Sequence, residues 1–276
     1  MNKIKVVSVT GSEVDAKKSK IQRLAAPIKA LMSAIVQKFK NTKPVSGSGK
    51  TALLAAFLVA ISTLSVSAQK TGVLSVLSKY NIDAAILDPN NFAQPDDYSF
   101  DLKQSTSAAG KGKTIEAKFD PSATANEQWT VVSVDGKSPS KGDINEFRKN
   151  QSKPSQSKSD DSSFRIEKET PDYLVISSKI DAATAPKDAA FMKDCRSLIT
   201  VNLKTKRVEQ IQTLNEKPVK IKILSVDKLN IVTKYRWDEQ AKRYFTINQN
   251  LDMQGKFLGQ SVPVQTISEY SNYVKR

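Results

Sequence analysis

Hydrophobic and polar residues alternate along much of the chain after residue 97, as in β-strands that rest one face on a core. The clearest alternating runs are residues 98–102, 115–119, 127–134, 199–203, 219–223, 229–237, 245–253 and 262–267. Residues 173–176 form a continuous apolar run, which predicts a buried strand. Turn residues such as Asp135-Gly136 and Lys204-Thr205-Lys206 separate the runs. Shorter runs begin at Phe164 and span residues 208–211. We therefore expect ten or eleven strands.

The strands after Phe164 are too closely spaced for crossover helices, so the sheet is expected to be antiparallel. Two short helices are predicted, at 71–80 and 140–149, the second with Ser140 as its N-cap. Because so wide a sheet must twist and curl, we predict a mainly β (α+β) fold. The predicted architecture is a wide curved antiparallel sheet or half-barrel with short helices on its concave side. A sandwich or a closed barrel is the alternative.

The pattern predicts one β-rich domain over residues 69–276. Within it, residues 150–163 are almost entirely Ser, Lys, Gln, Asp and other polar types with one proline. Such a segment buries too little apolar surface to offset the entropy lost on ordering. We expect it to be a mobile loop, since strands resume directly after it.

Residues 51–68 predict an export signal. An uncharged apolar run at 52–66 is shorter than the roughly 20 residues of a membrane span, and it has the length of a signal-peptide core. Val66-Ser67-Ala68 then provides small residues for cleavage, so the cut is predicted between Ala68 and Gln69. The predicted location is the periplasm. An uncleaved signal that anchors the protein in the membrane is the alternative.

Residues 1–50 form a basic leader extension. Apolar residues between Lys17 and Lys40 recur at helical spacing, which fits an amphipathic helix on an anionic membrane surface. A mis-assigned start, with translation beginning at Met32, is the simpler explanation of the extra length. Residues 47–51 resemble the end of a phosphate-binding loop, but Pro44 stands where that motif needs glycine.

The net charge of +15 depends largely on this leader. Residues 1–50 hold eleven basic and two acidic residues, which leaves 32 basic and 26 acidic residues for the rest. Basic residues do flank Tyr235 and Trp237, in a pattern that also occurs in proteins of single-stranded nucleic acid. In this chain, the basic residues around Tyr235 and Trp237 fall on the outward face of a predicted hairpin, where charged side chains are solvated. We therefore predict no nucleic-acid partner.

The composition also limits the chemistry. The chain has no histidine and a single cysteine, Cys195, so the commonest general base, an internal disulfide and two-cysteine metal motifs are excluded. The adjacent acids at 96–97 and 160–161 fall in predicted loops and are interpreted as solvated. We predict no enzyme activity, no catalytic residues, no metal site and no cofactor.

Several short motifs resemble a group of uncharacterised exported proteins of Gram-negative bacteria, over most of residues 97–275. They are Phe119-Asp120-Pro121-Ser122, Trp129, Ser133-Val134-Asp135-Gly136-Lys137, Pro139, Phe147-Arg148-Lys149, Arg207-Val208-Glu209 and Glu269-Tyr270-Ser271-Asn272-Tyr273. That group resembles the LolA/LolB lipoprotein-carrier superfamily in strand layout. The resemblance implies a half-barrel that holds acyl chains, and it assigns no binding residue.

Together these observations predict an exported periplasmic protein that binds a lipid, an acylated protein or another apolar ligand in a curved sheet. The ligand-binding residues are unknown from the sequence. A structural or envelope protein-interaction module is the alternative. A hydrolase that uses serine or carboxylates is a third hypothesis. Membrane contact is expected only through an uncleaved leader.

Overall fold

The computed structural model describes residues 66–108, 110–151, 158–185, 187–221, 224–257 and 259–276. The predictions made for residues 1–65 lie outside this part of the chain. The described residues form one open, curved, antiparallel sheet of eleven strands and two α-helices, which confirms the mainly β fold. None of the described helices has the length and apolar character needed to cross a membrane.

The strands are β1 (Tyr98–Ala108), β2 (Lys111–Phe119), β3 (Trp129–Val134), β4 (Arg165–Glu169), β5 (Tyr173–Ser178), β6 (Cys195–Asn202), β7 (Arg207–Asn215), β8 (Val219–Ile221), β9 (Leu224–Asp238), β10 (Arg243–Phe257) and β11 (Gln260–Lys275). The α-helices are α1 (Val66–Lys79) and α2 (Lys141–Asn150). Four short 3-10 helices span Ala84–Leu87, Pro89–Phe92, Asp161–Ser163 and Lys187–Asp194.

The strand order in the sheet is β3-β2-β1-β11-β10-β9-β7-β6-β5-β4, with β8 paired to the start of β9. Most strands that are consecutive in sequence are neighbours in space, but β3 does not pair with β4, and β7 pairs with β9 instead of β8. The first strand, β1, pairs with the last, β11, from Tyr98 opposite Lys275 to Ala108 opposite Val264. This long-range pairing leaves β3 and β4 as the two edges of the sheet.

One face of the sheet, here called the inner face, is buried along its length. Gln249, Leu251 and Met253 of β10 are buried there, and so are four alternate residues of β11: Val262, Val264, Thr266 and Ser268. Successive side chains of a strand point to opposite faces, so a strict period of two gives one buried and one exposed row. Fully burying a leucine such as Leu251 contributes about 1.5–3 kcal/mol.

A β-bulge interrupts this period in β10. The pairing with β9 shifts between Thr246 and Asn248, which leaves Ile247 as the extra residue. The sequence pattern placed Ile247 in phase with Gln249, yet Ile247 is 38% exposed. The bulge explains why Ile247 is exposed. One inserted residue shifts the alternation by one position, so the residues before it point to the opposite face from the one that the sequence pattern predicts.

The two α-helices cover opposite ends of the sheet. Helix α1 packs on β4 and on the 3-10 helix Asp161–Ser163, with Val73 and Leu77 buried in the core. It begins five residues before the predicted helix, so the predicted cleavage point between Ala68 and Gln69 lies within it. Helix α2 packs on β3.

Helix α2 confirms the predicted helix at 140–149. Ser140 is its N-cap, and the Ser140 hydroxyl accepts a hydrogen bond from the backbone nitrogen of Asp143. The Asp143 carboxylate in turn accepts from the Ser140 backbone nitrogen at 3.2 Å, which completes a capping box. The predicted turn before this helix is also present, with Asp135 and Gly136 both at positive φ.

The end of the segment predicted to be a mobile loop has defined structure. Ser159 forms a bridge with Ile180, and the Asp160 backbone nitrogen donates to the carbonyl of Lys179 at 2.9 Å. Asp161 forms an ion pair of 2.8 Å with Lys70 of α1. Polar contacts of this kind are not visible in hydrophobic patterning. Residues 152–157 lie outside the described part of the chain.

Candidate ligand-binding face

Three apolar clusters lie along the inner face. The first gathers Leu77 of α1, Leu174 and Val201 with the aromatic residues Phe92 and Tyr244. The second lies toward the other end of β9 and β10 and contains Leu229, Ile231, Leu251, Met253 and residues from the 3-10 helix Lys187–Asp194. The third joins α2 to β1–β3 through Leu102, Ala117, Val131 and Phe147.

A band of uncharged polar side chains runs across the inner face near these clusters. We call it the polar band, and its members are Gln104, Thr106, Ser197, Thr213, Thr233, Gln249, Thr266 and Ser268. They pair across neighbouring strands at 3.2 Å each: Gln104 with Ser268, Thr106 with Thr266, Gln249 with Thr233, and Ser197 with Thr213. The band therefore crosses six strands, from β1 to β6.

Five members of the polar band are buried and three are partly buried, namely Gln104, Thr106 and Ser197. Thr213 and Ser268 are 1% exposed, and Gln249 is 7% exposed. Burying a hydroxyl or an amide without a partner is costly, and the cross-strand pairs remove most of that penalty. No Asp, Glu, Lys or Arg belongs to the buried set of the described residues. The inner face is thus apolar with neutral hydrogen-bonding groups at fixed positions.

Tyrosines extend these neutral groups toward α1. Burial raises the pKa of Tyr235 and of Tyr244, so both phenols remain protonated at physiological pH. The Tyr244 oxygen accepts a hydrogen bond from the backbone nitrogen of Val208 at 3.0 Å. The ring of Phe92 lies 5.1 Å from that of Tyr235 and 4.9 Å from that of Tyr244, which fixes both rings.

Two buried nitrogen atoms near these rings have no hydrogen-bond partner in the described structure. They are the indole nitrogen of Trp237 and the amide nitrogen of Gln94. The Trp237 ring packs against Tyr244 and lies 4.0 Å below the guanidinium of Arg207. Unpaired buried donors are uncommon in folded proteins. Trp237 is partly buried and packs against the first apolar cluster, whereas Lys234 and Arg236 beside it in the strand are exposed.

Cys195 lies in the second apolar cluster and is only 2% exposed. Burial, with smaller effects from Asp194 and Glu216, raises the pKa of its thiol to about 12. The thiolate is the nucleophilic form of cysteine, so this side chain has almost none of it at neutral pH. The position of Cys195 is that of a packed core residue.

Three of the four adjacent acids, Asp97, Asp160 and Asp161, form local polar contacts. Asp97 forms an ion pair of 2.9 Å with Arg243. The Asp160 carboxylate accepts from the backbone nitrogen of Ser162 at 2.9 Å, while Asp161 pairs with Lys70. Across the described residues, no group of three or more potential ligands that could hold a metal ion is found.

Sequence reasoning assigned no ligand-binding residue, and it missed the polar band. The sequence does contain a pattern that could have revealed the polar band. Four of its residues stand at the alternate positions of their strands that otherwise hold buried apolar residues: Thr233, Gln249, Thr266 and Ser268. The predicted cleavage residues, Ala68 and Gln69, lie on α1 and are not part of this face. Comparison of the chain with protein-family models, with curated proteins and with solved structures found no match.

Proposed function

We propose that this protein is an exported, non-enzymatic carrier that holds an apolar ligand against the inner face of its sheet. The ligand class is a lipid or the acyl group of an acylated protein. The observation that supports this most directly is the composition of the inner face: apolar clusters and a neutral polar band without buried charge. Sites for small apolar ligands combine a largely hydrophobic lining with a few well-placed polar groups.

The polar band suits the ester or amide group at the head of an acyl chain. Its hydroxyls each have one donor and two acceptor positions, and its glutamines have two donors each. One cross-strand hydrogen bond uses only part of this capacity. Ser268 and Gln249 therefore retain the capacity to bond a ligand carbonyl without losing their partners, while the apolar clusters contact the chain.

The export part of the proposal rests on the sequence of residues 51–68. The apolar run and the small residues before Gln69 are typical of a secretory signal, and the proposed compartment is the periplasm. The similarity to the LolA/LolB superfamily stays a prediction, and it points to the same ligand class. The raised pKa of Cys195 agrees with a function that uses no thiol chemistry.

Native mass spectrometry of protein purified from the periplasm tests the carrier proposal. We expect mass adducts of lipid size that are lost on denaturation, and stoichiometric uptake of a fluorescent fatty acid by the delipidated protein. The variant Gln249→Leu should weaken uptake of ligands with a polar head. Gln254→Leu, the same change at an exposed position of the same strand, should not. Protein that is free of lipid and takes up no fatty acid would overturn the proposal.

A second candidate function, an envelope protein-interaction module, is favoured by large apolar side chains outside the inner face. Ile267 and Val274 of β11 are 38% and 52% exposed, and Val132 on edge strand β3 is 47% exposed. Replacing Ile267 and Val132 by Ser and comparing cross-linked products in intact cells tests this function. Unchanged cross-linking in that variant would count against it.

A further inference from the structure

A pocket of about 560 Å³ lies where strands β1, β9, β10 and β11 end beside the turn at residues 239–242. We call it the rim pocket, and its principal lining residues are Tyr98, Arg236, Arg243, Phe245, Tyr273 and Lys275. Its volume lies within the usual range of small-molecule sites.

Three aromatic rings form a rigid wall of the rim pocket. The ring of Phe245 lies 5.0 Å from that of Tyr98 and 4.5 Å from that of Tyr273. Phe245 itself is only 1% exposed, so the protein core holds the wall in place. The Tyr273 hydroxyl is fixed by the carbonyl of Thr246 at 2.7 Å. The partly exposed rings of Tyr98 and Tyr273 offer an apolar surface to a ring or a short aliphatic group.

The acids of the rim pocket are already occupied. Asp97 pairs with Arg243 at 2.9 Å. The Asp238 carboxylate accepts hydrogen bonds from the backbone nitrogens of Gln240 and Ala241, at 3.0 and 2.8 Å. Asp238 therefore closes the hairpin turn, while Asp97 neutralises one of the three cations.

Arg236 and Lys275 are the two remaining cations of the rim pocket. Neither forms an ion pair with an acid of the described chain. Both side chains are exposed and so are accessible to a ligand. With Arg243 they bring three positive charges to the pocket, against the two negative charges of Asp97 and Asp238, so the lining has a net charge of +1. A positively charged lining beside an aromatic wall has affinity for an anion attached to an apolar body.

We propose that the rim pocket binds a small organic anion, a phosphate or carboxylate on a ring or a short apolar group. Arg236 and Lys275 contact the anion, and Tyr98 and Tyr273 contact its body, with the buried Phe245 packed behind both rings. This site lies at the strand ends and does not depend on the proposed carrier function of the inner face. Because its cations are exposed, its affinity decreases as the salt concentration rises.

Calorimetric titration with phenyl phosphate tests the rim pocket. We expect saturable binding to the full chain, weakened about tenfold or more in the variant Arg236→Gln/Lys275→Gln, since two charge-assisted contacts are lost. The control variant Lys228→Gln/Lys234→Gln removes the same charge from exposed positions of β9. It should bind within about twofold of the unchanged protein if contacts, rather than net charge, determine affinity.

A second arm identifies the source of the anion. Vesicles of phosphatidylglycerol and of phosphatidylcholine are compared with free phenyl phosphate for binding to the same variants. Preference for phosphatidylglycerol that is lost with Arg236→Gln/Lys275→Gln assigns the site to a lipid headgroup, whereas binding of phenyl phosphate alone assigns it to a free ligand. Failure to bind either anion, or equal binding by both double variants, would overturn the proposal.

Discussion

The side chains of Gln249 and Thr233 meet on the inner face, where the Gln249 amide nitrogen donates to the Thr233 hydroxyl over 3.2 Å. The two residues are direct cross-strand partners in β10 and β9, and they are 7% and 3% exposed. Apolar residues, among them Leu251 and Ile231, occupy the next positions in phase with them. The pair is therefore a polar contact in largely apolar surroundings.

Removing one partner of this contact should destabilise the protein more than removing both. Thr233→Val leaves the Gln249 amide without its acceptor and is expected to lower the free energy of unfolding by about 1–3 kcal/mol. Thr233→Val/Gln249→Leu should cost less than the sum of the two single changes. Urea denaturation measures all three variants. Thr130→Val, at an exposed position of β3, is the control and should change stability by less than about 0.5 kcal/mol.

Gly255 allows a close approach between β10 and the start of β9. A methyl group at this position would lie 3.1 Å from Cγ of Leu224 and 3.2 Å from the carbonyl oxygen of Ser225. We expect Gly255→Ala to destabilise the protein by about 1–3 kcal/mol, because that backbone oxygen cannot move independently. Gly112→Ala is the matched control, since nothing lies within 4 Å of its new methyl group. Equal thermal stability of the two variants would contradict this packing argument.

The capping box of α2 predicts a specific dependence on pH. Hydrogen bonds from Ser140, followed by that from Lys113, lower the pKa of Asp143 from 3.8 to about 2. A carboxyl with a lowered pKa in the folded state stabilises the protein above its unfolded pKa, and this contribution is lost as the pH falls. The stability difference between the unchanged protein and Asp143→Asn should therefore be constant above about pH 5 and shrink between about pH 4 and pH 2.

Urea denaturation over that pH range measures the difference. Ser140→Ala should cost about 1 kcal/mol at neutral pH, in the range of other N-cap replacements. A difference between the unchanged protein and Asp143→Asn that does not vary from pH 7 to pH 2 would show that the carboxylate is not stabilised by the cap.

The thiol of Cys195 should be inert in the native protein. It is buried, and its pKa is raised to about 12. Iodoacetamide at pH 8 is expected to leave Cys195 unmodified over hours and to modify it fully in guanidinium chloride, since only the exposed thiolate reacts. Intact-mass spectrometry measures both states. Rapid native modification would show that the second apolar cluster opens readily.

The predicted signal cleavage gives a direct test of the mature N-terminus. N-terminal sequencing of the exported protein should give Gln69 as the first residue. Such a cut removes the first three residues of α1 and retains Gln69–Lys79 of this helix. Ala68→Leu should block processing, because signal peptidase sites need a small residue before the cut. Another first residue would place the site elsewhere.

The sequence predicts where the strands of this fold lie better than it predicts which strands pair and in what register. Alternation located nearly every strand, because the period of two is a local property of the chain. The bulge at Ile247 was not predictable from this pattern, since one extra residue is invisible until the facing strand is known. In β11 the pattern grouped Ile267 with Val262 and Val264, although Ile267 faces outward.

The candidate site was less predictable for a related reason. Thr233 and Ser268 appear in the sequence as ordinary polar residues of strands. Their contribution to a common band depends on the register between β9, β10 and β11, which adjacent residues do not determine. The rim pocket likewise joins Tyr98 to Lys275, which are distant in sequence and opposite each other in the sheet.

The pairing of β1 with β11 has a consequence for the order of events during synthesis. Strand β1, which contains Phe100 and Leu102, lies between β2 and β11. Of all the strands of the described sheet, β11 leaves the ribosome last. Until then β1 presents an unpaired edge, so the nascent chain cannot reach its final fold, and contacts of such high contact order form slowly. The last strand to be synthesised therefore determines when the β1–β3 part of the sheet can join the part formed by β4–β10.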